Sequence, residues 1–195
     1  MDKVFLIGDS IRAGYDRYVR GRLSGRAEVY YSSDNCRMSS NLLRFAKEQI
    51  EKECELDSVT LIHFNVGLWD VLRLDGDAPQ TPLPFYEDNL RRLVRRLRKA
   101  CPNAKLIFAT NTPVLEDLYA NPGKFFRYNA EIGQYNAAAL RVMAEMGVEV
   151  DDLHAVAAAL PRQAHGGDPT HYYTPEGTKA LGDAVTECIL RALGD

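Results

Sequence analysis

Continuous apolar runs and helical periods alternate along the chain. Val4-Phe5-Leu6-Ile7 is an unbroken apolar run rich in β-branched and aromatic types, which predicts a strand buried on both faces. It stops at Gly8-Asp9-Ser10, and from Ile11 the apolar spacing becomes helical, predicting a helix over 11–23. A second strand is expected over 27–31 and a polar loop over 35–40. Leu42, Leu43, Ala46 and Ile50 then mark one face of a helix. Residues 59–65 read as the third strand, ending in Gly67-Leu68-Trp69-Asp70 and a Pro- and Asp-rich loop that runs to Pro84. An amphipathic helix over 87–99 carries Leu90, Leu93, Val94 and Leu97 on one face. The fourth strand, 105–110, runs into Asn111-Thr112-Pro113 and a longer loop over 114–127. A helix over 129–146, a short fifth strand over 147–151, a helical stretch over 153–160 and a loop over 161–167 follow. Thr174-Pro175-Glu176 opens the last helix, with Thr as N-cap and Pro at the first helical position.

Strands that alternate with helices predict a parallel sheet covered on both faces. Five such strands make an α/β three-layer sandwich of flavodoxin type, here expected as one domain over 1–195. Composition changes this picture little: 46% hydrophobic and 26% charged residues are ordinary for a globular chain. A net charge of −3 leaves no footprint for nucleic acid or an anionic membrane. The arginines of 87–99 fall on the solvated face near the helix C-terminus, where they suit the dipole. No apolar run approaches the ~20 residues of a membrane span, and the N-terminus lacks a signal-peptide layout. A cytoplasmic location with four reduced cysteines is therefore expected. Cys54, Cys101 and Cys188 read as packing residues, while Cys36 stands beside a loop of interest as a packing residue or a reactive thiol.

A serine at a strand-to-helix turn presents its hydroxyl at the carboxyl edge of the sheet, where open α/β folds place ligands. The G-x-S-x-G elbow is absent, and Gly8-Asp9-Ser10 alone is equally an N-cap. The other end of the chain carries Asp168-Pro169-Thr170-His171. An aspartate three residues before a histidine, inside a Pro-containing turn, brings its carboxylate to Nδ1 and leaves Nε2 free to take a proton. A serine hydroxyl is a poor nucleophile without such a base. The same four residues also suit an Asx turn before a helix with an incidental histidine.

Gly8-Asp9-Ser10 with Asp168-x-x-His171 resembles the SGNH/GDSL hydrolases, a superfamily of serine esterases and lipases, from first strand to last helix. The resemblance implies Ser10 as nucleophile, His171 as general base and Asp168 as its orienter. It also implies an oxyanion hole built from the serine amide, a glycine amide in a second block and an asparagine side chain in a third. Two departures stand out. Ser39-Ser40 replaces the expected Ser-Gly, so the backbone N–H of Ser40 takes the second place. The third block reads Gly67-Leu68-Trp69-Asp70 rather than Gly-x-Asn-Asp, and Asn65, on the same strand face as Gly67, becomes the expected side-chain donor. One such donor is worth about 2.7–4 kcal/mol in the transition state. Asp9, Arg37 and Trp69 are the expected substrate-binding residues.

The implied substrate is a short-acyl ester, plausibly acetyl, on a small molecule or carbohydrate, with no cofactor and no metal. A lysophospholipase or thioesterase of the same family is the alternative, and so is a catalytically silent glycan- or partner-binding domain, since the third-block asparagine is missing. Nucleotide signatures are absent, and His165, Asp168 and His171 are poorly spaced for a metal. His63 and His154 read as core histidines. Arg37 and Arg127, in predicted edge loops, either bind a substrate carboxylate or hydroxyls or are surface charges. Phe125, Phe126, Tyr128, Tyr172 and Tyr173 either wall a pocket, stack a sugar or fill the core. Oligomeric state is not legible.

Overall fold

Strand β1 (Asp2–Ile7) forms where the first apolar run predicts it, with Val4, Phe5, Leu6 and Ile7 fully buried. The computed structural model describes residues 1–194. The other strands in chain order are β2 (Ala27–Tyr31), β3 (Leu61–Phe64), β4 (Arg73–Leu74), β5 (Lys105–Ala109), β6 (Phe125–Phe126) and β7 (Glu149–Asp151). The helices are α1 (Ser10–Arg22), α2 (Ser39–Glu51), α3 (Leu83–Ala100), α4 (Asn129–Met146), α5 (Leu153–Ala158) and α6 (Pro175–Leu193).

Five strands make a parallel sheet in the order β2-β1-β3-β5-β7. Phe5 lies opposite Tyr30 on one side and Ile62 on the other, so β1 is paired along both edges. The order reverses at β1, and the crossovers place the helices in two groups. α1 packs on α6 and α6 on α5, while α2, α3 and α4 pack in succession on the other side. This is the α/β three-layer sandwich expected from the sequence. Each buried side chain of β1 contributes about 1.5–3 kcal/mol, so the segment leading to Ser10 is firmly held.

Boundaries moved where local chemistry overrode periodicity. α3 begins at Leu83 rather than 87, because Pro84 suits a first helical turn and Tyr86 and Leu90 add a buried stripe. The third strand spans Leu61–Phe64, with backbone hydrogen bonds to Lys3 and Ile7 reaching one residue beyond each end, to Thr60 and Asn65. α4 matches its predicted span and ends on Gly147 in the left-handed region. The last helix opens as expected, with Thr174 Oγ accepting from the Gly177 N–H at 3.0 Å. An unpredicted feature is a two-stranded antiparallel ladder, Arg73 opposite Phe126 and Leu74 opposite Phe125. It ties the loop after the third block to the 114–127 loop and sets Arg127 beside the carboxyl edge of the sheet.

Candidate active site

Ser10 is the first residue of α1, one residue beyond the turn that ends β1. Asp9 caps the helix: its Oδ1 accepts from the Ile11 N–H at 2.9 Å and from Asn65 Nδ2 at 2.8 Å. Gly8 is required because a Cβ there would overlap the Asn65 amide, 1.9 Å from its Oδ1. Burial pushes Asp9 above the ordinary carboxylate range, against the Asn65 and Ile11 hydrogen bonds and the nearby charges of Arg127 and Arg12. The turn that holds Ser10 is thus braced from below by a buried carboxylate and a buried amide.

The loop before α6 reaches the same place from the far end of the chain. His171 Nε2 lies 2.9 Å from Ser10 Oγ, and its Nδ1 lies 2.9 Å from Asp168 Oδ2. The other oxygen of Asp168 accepts the N–H groups of Thr170 at 2.6 Å and His171 at 2.7 Å. The carboxylate therefore fixes both the turn and the ring. Burial alone would raise its pKa, but these bonds from the His171 ring and the two amides outweigh burial and hold it below the ordinary value. Tyr173 stacks on the imidazole, centroids 4.6 Å apart and planes 13° apart, and its hydroxyl donates to the Ser10 carbonyl at 3.1 Å. A cavity of about 240 Å³ opens over Ser10 and His171, walled by Leu68, Trp69, Phe125 and Arg127.

The other expected residues divide. Trp69 is half-buried in that wall. Ser40 lies exposed in the first turn of α2, and neither its N–H nor that of Ser10 donates to any described residue. Asn65 departs from the expected oxyanion role: its amide lies against Gly8 and donates to Asp9. Asp9 is 1% exposed beneath the turn and braces it instead of touching the cavity. Arg37 is exposed, with φ of 54°, beside a separate groove with Asn41 and Phe45.

Cys36 is buried, and burial pushes its thiol well above the ordinary range, so its reactivity is suppressed. His165 packs against Tyr172, centroids 4.1 Å apart with the rings tilted by 43°, and is not part of the Ser10–His171–Asp168 chain. Sequence reasoning placed Arg127 among surface charges or ligand-binding residues, and the structure buries it to 3% exposure in the cavity wall. The available signal was its neighbours: Phe125-Phe126 before it and Tyr128 after it mark an arginine inside an aromatic run.

A sequence model of the GDSL-like lipase/acylhydrolase family matches residues 6–180, from β1 into α6. The chain belongs to that family. It is accordingly an ester-bond hydrolase. Solved structures of lipases and esterases share its fold at low identity. A lipase/acylhydrolase from Enterococcus faecalis superposes with a TM-score of 0.76 at 18% identity, over 97% of this chain and 95% of that one. A GDSL-like lipase from Bacteroides thetaiotaomicron gives 0.73 at 17% identity, over 98% and 89%. The acetyl xylan esterase AlAXEase gives 0.71 at 15% identity, over 96% and 99%. No curated protein sequence matches the chain. No helix of the described residues is long and apolar enough to cross a membrane.

Proposed function

We propose that this GDSL-family hydrolase is a serine esterase that cleaves short-acyl esters, acetyl esters of carbohydrates among them, through an acyl-enzyme intermediate. The observation that carries the reading is the unbroken chain from Ser10 Oγ to His171 to Asp168, with both contacts at 2.9 Å, beneath an open cavity. Ser10 Oγ attacks the ester carbonyl while His171 Nε2 takes its proton. The carbonyl π electrons move to oxygen, and the oxyanion is met by the N–H groups of Ser10 and Ser40, which have no other partner among the described residues. The intermediate collapses, His171 returns the proton to the departing alcohol, and the acyl group stays on Ser10. A water, deprotonated by His171, then releases the acid and restores the serine. Asp168 keeps the imidazole in one tautomer and stabilises its charged form.

The cavity volume supports a short acyl group. About 240 Å³ is below the ~300–1,000 Å³ of pockets that enclose drug-sized ligands. A chain-length series of p-nitrophenyl esters tests this. The expected optimum lies at acetyl to butyryl, with hydrolysis abolished by Ser10→Ala. An optimum at long acyl chains would contradict it and favour the lysophospholipase or thioesterase reading. The silent-binder reading requires that folded protein hydrolyse none of the series.

A further inference from the structure

Two arginines are almost fully buried, and they are treated differently. Arg12, 2% exposed, has Asp16 Oδ2 at 2.7 Å from Nη1 and the Asp34 carbonyl at 2.8 Å from Nη2. Arg127, 3% exposed, has no carboxylate within ion-pair reach among the described residues. Its Nε donates to the Leu68 carbonyl, Nη1 lies 3.4 Å from Tyr119 Oη and 3.5 Å from Thr170 Oγ1, and its guanidinium lies over the Phe125 ring at 4.9 Å. Nη2 makes no hydrogen bond to a described residue.

Asp9 feels the charge of Arg127 without pairing with it, and a buried cation whose hydrogen-bond partners are all neutral carries a desolvation cost that an anion in contact would offset. The position of Arg127 says where that anion belongs. The guanidinium is pinned between Leu68, next to Trp69, and Thr170, next to His171, and it walls the cavity over Ser10. The β4–β6 ladder fixes the segment immediately before it. A planar fork of this kind matches a carboxylate, with Nη2 as the available donor.

We infer that the preferred substrate is an ester that carries a carboxylate near the scissile bond, held by Arg127. The inference rests on the esterase reading and adds the charge of the substrate to it. The carboxylate belongs either to the acyl part or to the alcohol, and two matched pairs distinguish these. For the acyl side the pair is p-nitrophenyl hydrogen succinate and its methyl ester. For the alcohol side it is acetylated glucuronate and acetylated glucose.

The expected result is a kcat/KM at least about tenfold higher for the charged member of one pair. Arg127→Gln should shrink that ratio about tenfold or more, and Arg127→Lys should retain part of it, since a charged hydrogen bond is worth about that much. Wild-type enzyme that prefers the neutral member of both pairs, or shows no preference, overturns the inference and leaves the esterase reading intact. An Arg127→Gln variant that slows charged and neutral members equally also overturns it, because the guanidinium would then serve the reacting carbonyl and not a substrate charge. Should neither Arg127 variant fold, the wild-type ratios decide. Failure of wild type to hydrolyse all four esters and the p-nitrophenyl series sinks the esterase reading and the inference together.

Discussion

The molecule contains two aspartate–histidine pairs of the same length, one inside the fold and one on its rim. His63 Nε2 lies 2.9 Å from Asp151 Oδ2, with the ring wholly buried beside Tyr15. His171 Nδ1 lies 2.9 Å from Asp168 Oδ2, with the ring about a quarter exposed. Pair distance therefore says nothing about chemistry. The second ring nitrogen does. That of His63 meets no partner among the described residues, whereas that of His171 meets the hydroxyl of Ser10. The inner pair joins residues 88 positions apart on two strands of one sheet, so it is a clamp made by tertiary structure. The outer pair lies within one turn, pre-set by two backbone amides that donate to Asp168. Another aspartate, the buried Asp70, binds Ser39 Oγ directly at 2.5 Å with no imidazole between them.

Substitutions separate these roles. The largest effect is expected at the outer pair. His171→Ala should lower kcat at least about a thousandfold while the protein still folds, with a smaller loss of stability than at the inner pair because the ring sits on the rim. Near-normal turnover in that variant would remove His171 from the mechanism. The inner pair should show the opposite pattern. His63→Ala leaves Asp151 buried without its donor and should cost about 3–5 kcal/mol of stability by chemical denaturation, with turnover per folded molecule within a few-fold of wild type. A variant that keeps full stability and loses activity would reverse the assignment.

The smallest effect belongs to Asp70 and depends on pH. Burial pushes its pKa up to about 6, against the hydrogen bonds of Ser39 and Thr81. Between the unfolded value of about 3.8 and this folded value, the native state keeps a proton that the unfolded chain has released. Wild type should thus lose stability relative to Asp70→Asn as pH rises from 4 to 7, by about 2 kcal/mol. Denaturation midpoints of the two proteins at both pH values measure this, and a constant difference contradicts it.

Much of the sheet was legible because its strands are buried on both faces and so read as unbroken apolar runs. The ends of the site were legible for a related reason: a turn after the first strand and a turn before the last helix are set by local chemistry. What escaped depends on contacts between distant segments. β4 and β6 hold two residues each and lie inside long loops, so they carry no period to detect. Strand alternation puts Asn65 on the face of Gly67 but does not reveal that its amide donates to Asp9. Arg127 looked like a loop residue because nothing local reveals that Leu68 and Thr170 wait to receive it.

In the proposed esterase, His171 and Asp168 activate Ser10 for attack on a carbonyl. The most direct measurement is reaction of the folded protein with a fluorophosphonate, followed by peptide mapping. The account predicts one phosphonyl group on Ser10, formed at least about a thousandfold more slowly in His171→Ala. Wild-type protein that stays folded and unlabelled, or that carries the label on another residue, would contradict it.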